Sequence, residues 1–472
     1  MEAVQLLTTI ILVVTVFLAI IYRQRSSKRS SNLRQPTIKV RDPTITRQTL
    51  IDQADAFSNR PPTPFPIPLI TGRRHRHGIT TVPYGPHWRA LRSNLTAAIL
   101  QPWRQGLMAP LQREAIDALV TSISTRCADD GSGDLVIRDS IYGAVFSMLT
   151  TVCFGDDVDF NHVRSMELMM QEFRVAIGEA RVLARSTIAK IKHWRQWRRF
   201  LGFRTQQVDL FVPLINAICQ TRRSTKHGTW PYVDSLIDLR IPDENDPSGA
   251  NRRALTEDEM VSLIVEFLGA VESIVAVLEW TLAHLVIKPE VQRKVRHELL
   301  LVDDVSSKRS GEPGSYLHAV VMENLRLHPP FPLIMREVRS EGAVVGAEIV
   351  PATTGMRVQF MLGDIGKDEH VWKDAGEFKP ERFIAGGEGE GVGLVPGGSK
   401  EIKMVPFGAG QRSCPGAALG VQFIKDLLAA MVREFEWEMP VEGGGGVDMT
   451  ELYGFITVMK TPLRTHIKPL CA

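Results

Sequence analysis

The residues with the clearest chemical potential lie near the C-terminus, in the run Pro406-Phe-Gly-Ala-Gly-Gln-Arg-Ser-Cys414-Pro-Gly416. A glycine-rich loop leads to one cysteine, and a long apolar stretch follows. Gly408 and Gly410 allow a tight backbone and the close approach of a flat ligand. A cysteine at the start of a helix meets free backbone N–H groups and the positive end of the helix dipole, which favour a thiolate over a thiol. The thiolate is the form that binds a metal. Arg412 adds a cation suited to a ligand carboxylate. A cysteine alone is more often an inert core residue; it is the surrounding loop that points to ligation.

Glu272-Ser273 lie within the apolar segment VSLIVEFLGAVESIVAVLEW. A carboxylate and a hydroxyl there are costly unless they are used, so the pair is the candidate for proton transfer. Glu323 and Arg326 are spaced i,i+3 on one helix face in YLHAVVMENLRLHPP. That spacing serves equally for a surface ion pair of little energetic weight. Trp88 and Arg92 in PYGPHWRALRSNL, Arg336 in PLIMREV and Arg382 in PERF complete the set. Taken singly, each reads as a satisfied core tryptophan or a solvated arginine.

Taken together and in this order, these segments resemble the cytochrome P-450 family. The family's haem signature is Phe-x-x-Gly-x-Arg-x-Cys-x-Gly, and Phe407, Gly410, Arg412, Cys414 and Gly416 fill every fixed position. The resemblance runs from about Asp52 to the C-terminus. EFKPERF, VPFGAGQRSCPG and VMKTPLRTHIKPL look most like the plant microsomal members. It implies the P-450 fold, with haem b between a long central helix and the cysteine loop. Cys414 would be the iron ligand, donating electrons that favour O–O cleavage. Phe407 would lie against the ligand loop. Trp88, Arg92, Arg336 and Arg412 would hold the haem propionates. Glu323, Arg326 and Arg382 would form a buried charge network that fixes the fold. Glu272 and Ser273 would relay protons, through water, to dioxygen.

The resemblance also implies a reaction. One oxygen atom from O2 enters a small lipophilic substrate, by hydroxylation or epoxidation, with electrons passed from NADPH by a partner flavoprotein reductase. The substrate would lie against Ala270, Leu333, Ile334 and Phe455. The sequence departs from the family at Gly269-Ala-Val-Glu-Ser273, where Ala/Gly-Gly-x-Asp/Glu-Thr is usual. Serine keeps the hydroxyl but loses the methyl that restricts its rotamer. Ala270 stands in place of glycine and narrows the oxygen groove. One alternative within the family is a reductase-independent isomerase or dehydratase, a class that often lacks the acid–alcohol pair. Another is a catalytically inactive haem-binding membrane protein.

The elements that must position these residues are mainly helical. Apolar periodicity suits helices over Ala109–Thr125, Ser140–Cys153, Thr256–Val286 and Leu419–Phe435. Strand-like runs at Ala343–Val350, Arg357–Met361 and Phe455–Met459 predict small sheets. The stretch Ile188–Phe203 (IAKIKHWRQWRRFLGF) suits either a membrane-interface segment or a surface helix with a buried aromatic stripe.

The whole chain has 472 residues, 44% of them hydrophobic, enough for one large core. Lys+Arg (56) and Asp+Glu (53) nearly balance at a net charge of +3, which argues against a nucleic-acid partner. The five cysteines form no C-x-x-C pair, which argues against a zinc site or a disulfide framework. No G-x-G-x-x-G or Walker loop occurs, so electrons come from another protein. Residues 1–22 contain an uncharged run followed at once by Arg23, Arg25, Lys28 and Arg29. This predicts a single transmembrane signal anchor in the endoplasmic reticulum, with the body facing the cytosol. The sequon at Asn94-Leu-Thr96 then falls on the cytosolic side, where it has no use. Residues 23–50 read as a basic linker, shortened where the family has a hinge, a first helix and two strands. Residues 51–472 read as the haem-thiolate catalytic domain.

Overall fold

The computed structural model describes residues 37–470, except 63–66, 71–76, 131–132, 184–185, 222–230, 245, 247–249, 302–312, 352–354, 398–400, 442–445 and 455. The predicted anchor at 1–22 therefore lies outside the described residues. Among the described residues, β1 (Thr37–Val40) comes first, then the short α1 (Pro43–Arg47), which runs on as a wide turn to Asp52. The next helices are α2 (Pro86–Leu95), α3 (Pro102–Asp130), α4 (Arg138–Phe154), α5 (Phe160–Leu183), α6 (Thr187–Lys192) and α7 (Trp194–Thr221). The centre is formed by α8 (Glu257–Leu268), α9 (Ala270–Ile287), α10 (Pro289–Leu300) and α11 (Tyr316–Leu327). β2 (Ile334–Glu337) and β3 (Arg357–Phe360) follow, then the cysteine loop and α12 (Ala417–Glu434). The chain closes with β4 (Phe435–Glu438), the hairpin β5 (Glu451–Tyr453) and β6 (Thr457–Met459), and β7 (Arg464–Pro469).

The central helix α9 is apolar on every side, as a helix must be when neighbours surround it. It packs against α4, α11 and α12. The unit α8–α9, Glu257–Ile287, is long and apolar enough to cross a membrane, but 67% of its most apolar window is buried in the protein. It is the core helix. The single helix expected over Thr256–Val286 is divided at Gly269, where a side chain would stand 3.1 Å from the Val265 carbonyl oxygen.

The 23–50 stretch, expected as a linker, is corrected in its second half. β1 pairs in parallel with β3, which also pairs antiparallel with β2, to give a three-stranded sheet. Val40 and Leu50 are buried in a core cluster with Phe360 and Ala409. The apolar alternation there is too short to register as a strand by pattern; its partner lies more than three hundred residues away in β3.

Glu323, Arg326 and Arg382 meet at one buried point. Arg326 is 1% exposed, and all five of its N–H groups have acceptors. Its Nε and Nη2 donate to the Glu323 carboxylate, each at 2.7 Å. Its remaining donors reach the carbonyls of Gly366 (2.8 Å), Ala375 (2.7 Å) and Glu377 (3.0 Å). Arg382 Nε is 3.2 Å from Glu323 Oε1 and its Nη1 2.9 Å from Glu388. The network ties α11 to the loop that leads into the cysteine segment. Arg326→Lys keeps the charge but loses the planar fork. It is expected to lower unfolding stability by about 3–5 kcal/mol, the scale of a broken buried ion pair. Chemical denaturation measures this; a loss well under 1 kcal/mol would contradict it.

Candidate active site

The cysteine loop is held by its own backbone. Cys414 N–H donates to the Phe407 carbonyl at 2.9 Å, and Ser413 N–H to Gly410 at 3.1 Å. Gly408 and Gly410 both have φ of +69°, a left-handed conformation that favours glycine. At Gly410 a Cβ would lie 1.9 Å from the Leu50 carbonyl oxygen. The turn after α1 thus buttresses the loop directly. Phe407 is half-buried and packs against the main core.

Cys414 keeps an accessible face. The thiolate preference expected from its sequence position is not met by the protein alone. Loss of water raises its thiol pKa, while the Gly416 N–H, Arg92 and Arg60 pull it down. A metal ligand would complete the deprotonation, since binding displaces the proton.

Around the loop stand four arginines. Arg412 donates to the carbonyls of Ser58 (2.9 Å), Ile79 (2.7 Å) and Val82 (2.5 Å), and its guanidinium lies 4.6 Å from the Trp88 ring centre. Trp88 turns its indole N–H to Ile79 at 3.1 Å rather than outward. It therefore meets the cluster as an aromatic face behind Arg412. Arg92 reaches the Ser413 carbonyl at 3.0 Å. Arg336, only 2% exposed, donates to its neighbour Met335 at 3.0 Å. Arg60 donates to the Thr80 carbonyl at 3.3 Å.

All four guanidiniums have lowered pKa values, burial being the first cause in each case. Mutual repulsion adds to this: Arg60 depresses Arg92, Arg336 and Arg412, and Arg412 is brought to about 9. The Glu266 carboxylate offsets Arg60 and Arg412; among the described residues no carboxylate offsets Arg92 or Arg336, and Arg92 is offset only by Cys414. Buried charge of one sign needs a counter-charge. A flat dianion beside Cys414, such as haem with its two propionates, fits that need. Arg60 is the residue that sequence reasoning missed. Its signal, one arginine in FSNRPPT, carries no spacing to the other three.

The acid–alcohol pair lies just after the break between α8 and α9 at Gly269. Ala270 is exposed there and Ser273 half-buried; Ser273 donates to no protein group among the described residues. Glu272 points instead into the fold. Tyr142 O–H donates to it at 3.1 Å, and Arg174 Nε lies 2.9 Å away. Burial raises its carboxyl to about 7, against the opposing pull of Arg174 and Tyr142. Of the expected substrate wall, Leu333 and Ile334 are half-buried, and the Ile334 Cδ1 lies 3.9 Å from the Cβ position of Gly408. Phe455 lies outside the described residues.

The cytochrome P-450 family description matches residues 29–465. The chain belongs to the cytochrome P-450 family. It is 34% identical over 445 residues to cytochrome P-450 89A9 of Arabidopsis thaliana, covering 92% of this chain and 84% of that protein. It is 30% identical over 439 residues to a germacrene A hydroxylase of Barnadesia spinosa, covering 90% and 82%. A solved zebra fish cytochrome P-450 with abiraterone superimposes at a TM-score of 0.70, with 21% identity, 92% of this chain and 94% of that one covered. The mainly helical P-450 fold with small sheets is therefore the fold of this chain, and its class is haem-dependent monooxygenase, most similar to plant members.

Glu272 carries a further expectation. With its folded value raised above the ordinary 4.5 to about 7, the folded state holds this proton more tightly than the unfolded chain does. The stability this contributes is present at acid pH and is lost as pH rises through about 7. Arg174→Leu removes the cation that opposes the shift, so the titration moves higher still. An infrared titration of the neutral carboxyl band, assigned by its loss in Glu272→Gln, measures this. A midpoint near 4.5 in the parent protein would contradict it.

Proposed function

We propose that Cys414 would hold the iron of haem b and that the chain inserts one oxygen atom from O2 into a small lipophilic substrate. The observation that carries this reading is the cluster of four arginines, Arg336 and Arg412 buried and Arg60 and Arg92 half-buried, short of carboxylates, beside the accessible face of Cys414. Haem held there would supply the redox chemistry of its iron toward dioxygen. Arg60, Arg92, Arg336 and Arg412 would hold its propionates, and Trp88 would hold Arg412. Phe407 closes the loop behind the ligand.

The protein's own contribution is proton handling and exclusion of water. Near neutral pH Glu272 is poised between its two protonation states, the condition for a general acid. Tyr142 and Arg174 fix its carboxyl. The unengaged Ser273 hydroxyl can orient a water between that carboxyl and the substrate side. Ala270, Leu333 and Ile334 give an apolar wall, as small-molecule sites generally have. The same acid–alcohol pair favours an oxygen-dependent reaction over a reductase-independent isomerisation or dehydration.

Electrons would come from an NADPH-dependent flavoprotein reductase. We place the chain in the endoplasmic reticulum membrane through residues 1–22, with the catalytic domain facing the cytosol. The Ile188–Phe203 stretch supports a second membrane contact. Its first part exposes Ile188, Ile191 and Trp194 beside Lys190 and Lys192, while Phe200 and Phe203 are buried in the core. The second half is thus the buried aromatic stripe, and the exposed apolar residues of the first half support the membrane-interface reading.

In vesicles with such a reductase, the chain should consume O2 and NADPH, and label from heavy-oxygen gas should enter the product from a pool of lipophilic compounds. Cys414→Ala should abolish incorporation. Turnover that proceeds without reductase and O2 would overturn the reading.

A further inference from the structure

Away from the arginine cluster runs a second buried polar chain. His328, which caps the end of α11, places its Nδ1 2.9 Å from Glu451 Oε1 on β5. Its Nε2 lies 3.1 Å from the Nε2 of His284 on α9. The His328 ring stacks on Trp280 at 4.0 Å, and His284 stacks on Phe378 at 4.0 Å. Both histidines are at most 9% exposed. Tyr453 O–H also donates to Glu451, and Lys367 Nζ is 3.6 Å away.

The proton positions in this chain follow from its ends. Burial works against the charge on Glu451, but the hydrogen bonds from His328 and Tyr453 outweigh it and hold the carboxyl at about 2. It is ionised and can only accept. His328 therefore carries its proton on Nδ1 and accepts at Nε2. His284 must then carry its proton on Nε2. Burial lowers the pKa of both rings, which keeps each to a single proton. The chain is directional, and it locks β5 to the central helix.

What β5 carries gives the lock its meaning. Ser273, Ala276, Trp280 and His284 fall on one stripe of α9, at i, i+3, i+7 and i+11. The base of the hairpin meets this stripe at Trp280 and His284 through His328. Farther out, it meets Ala276 through Val458, midway along β6, and through Ile456, just before that strand. Ala276 is only about 4.5 Å of helix rise from Ser273. The return strand β6 has anchors of its own: Thr457 N–H donates to Pro330 at 2.8 Å, and Arg138 Nη2 to Met459 at 3.1 Å. The outgoing strand β5 reaches the central helix through Glu451 and His328. Loss of that link should tilt the hairpin rather than unfold it.

We propose that the His284–His328–Glu451 chain is a positioning device that sets how far Ile456 of the hairpin reaches along α9 toward Ser273, and so the bulk of substrate the site admits. The proposal rests on the haem reading above. These residues touch neither substrate nor cofactor; they act through the hairpin.

Spectral titration of the haem-loaded full chain with imidazole and with phenylimidazole tests it, alongside hydrogen exchange of amides 451–459. In Glu451→Ala, imidazole should bind as in the parent. The ratio of affinities should move toward phenylimidazole by roughly tenfold, the scale of one lost charged hydrogen bond. Exchange in the hairpin should quicken. Glu451→Gln keeps an acceptor for His328 and should largely restore the parent ratio. An unchanged ratio in Glu451→Ala would overturn the proposal, as would equal loss in both variants with impaired haem loading, which marks a merely structural role. If the parent shows no thiolate band, the haem reading itself falls, whatever hydrogen exchange shows at the hairpin.

Discussion

The structure turns on an electrostatic debt: Arg60, Arg92, Arg336 and Arg412 converge on one cysteine loop, and the protein offsets them with little more than Glu266. Desolvated like charges are among the least favourable arrangements a fold can hold. They persist here because backbone carbonyls of Ser58, Ile79, Thr80, Val82, Met335 and Ser413 take up their donors. Those carbonyls come from segments far apart in the chain, so the cluster exists only in the finished fold. A ligand with two carboxylates would relieve it. The arginines are thus a cost to the fold by themselves, and such a ligand would turn that cost into affinity.

The remaining architecture keeps this cluster in place against two sides. On the loop side, Gly410 lets the turn after α1 press on the ligand segment, and the Glu323–Arg326–Arg382 network locks the approach to it. On the helix side, α9 is held by α4, α11 and α12, and is broken from α8 at Gly269 just before Glu272. The break separates two functions. Glu272 turns inward to Tyr142 and Arg174, where burial raises its carboxyl; Ser273 stays on the open side.

Much of this was legible in the sequence because it is local. The cysteine loop, the i,i+3 pair Glu323/Arg326 and the acid–alcohol pair are short patterns, each readable within one element. The helices over Ser140–Cys153 and Leu419–Phe435 agree with α4 and α12 to within a few residues because their apolar periodicity is strong. What could not be read depends on tertiary contact. Arg60 joins the cluster from a loop with no periodicity. Arg174 and Tyr142 find Glu272 from helices about a hundred or more residues upstream. β1 is a strand because β3 pairs with it, not because its own four residues demand it. The glycine missed at position 270 stands one residue earlier, and the helix breaks there. Partial loss of water around the Cys414 sulfur opposes the thiolate that the helix start favours, and no local pattern carries that.

We infer that Cys414 and the arginine cluster together form a haem-thiolate site. Reduced under carbon monoxide, the purified, haem-supplemented full chain should give the long-wavelength Soret band of a thiolate-ligated haem. Cys414→Ala should lose that band, and replacement of Arg336 by leucine should weaken haem retention. A parent protein without the band, or a Cys414→Ala variant that keeps it, would rule out a haem-thiolate site built on Cys414.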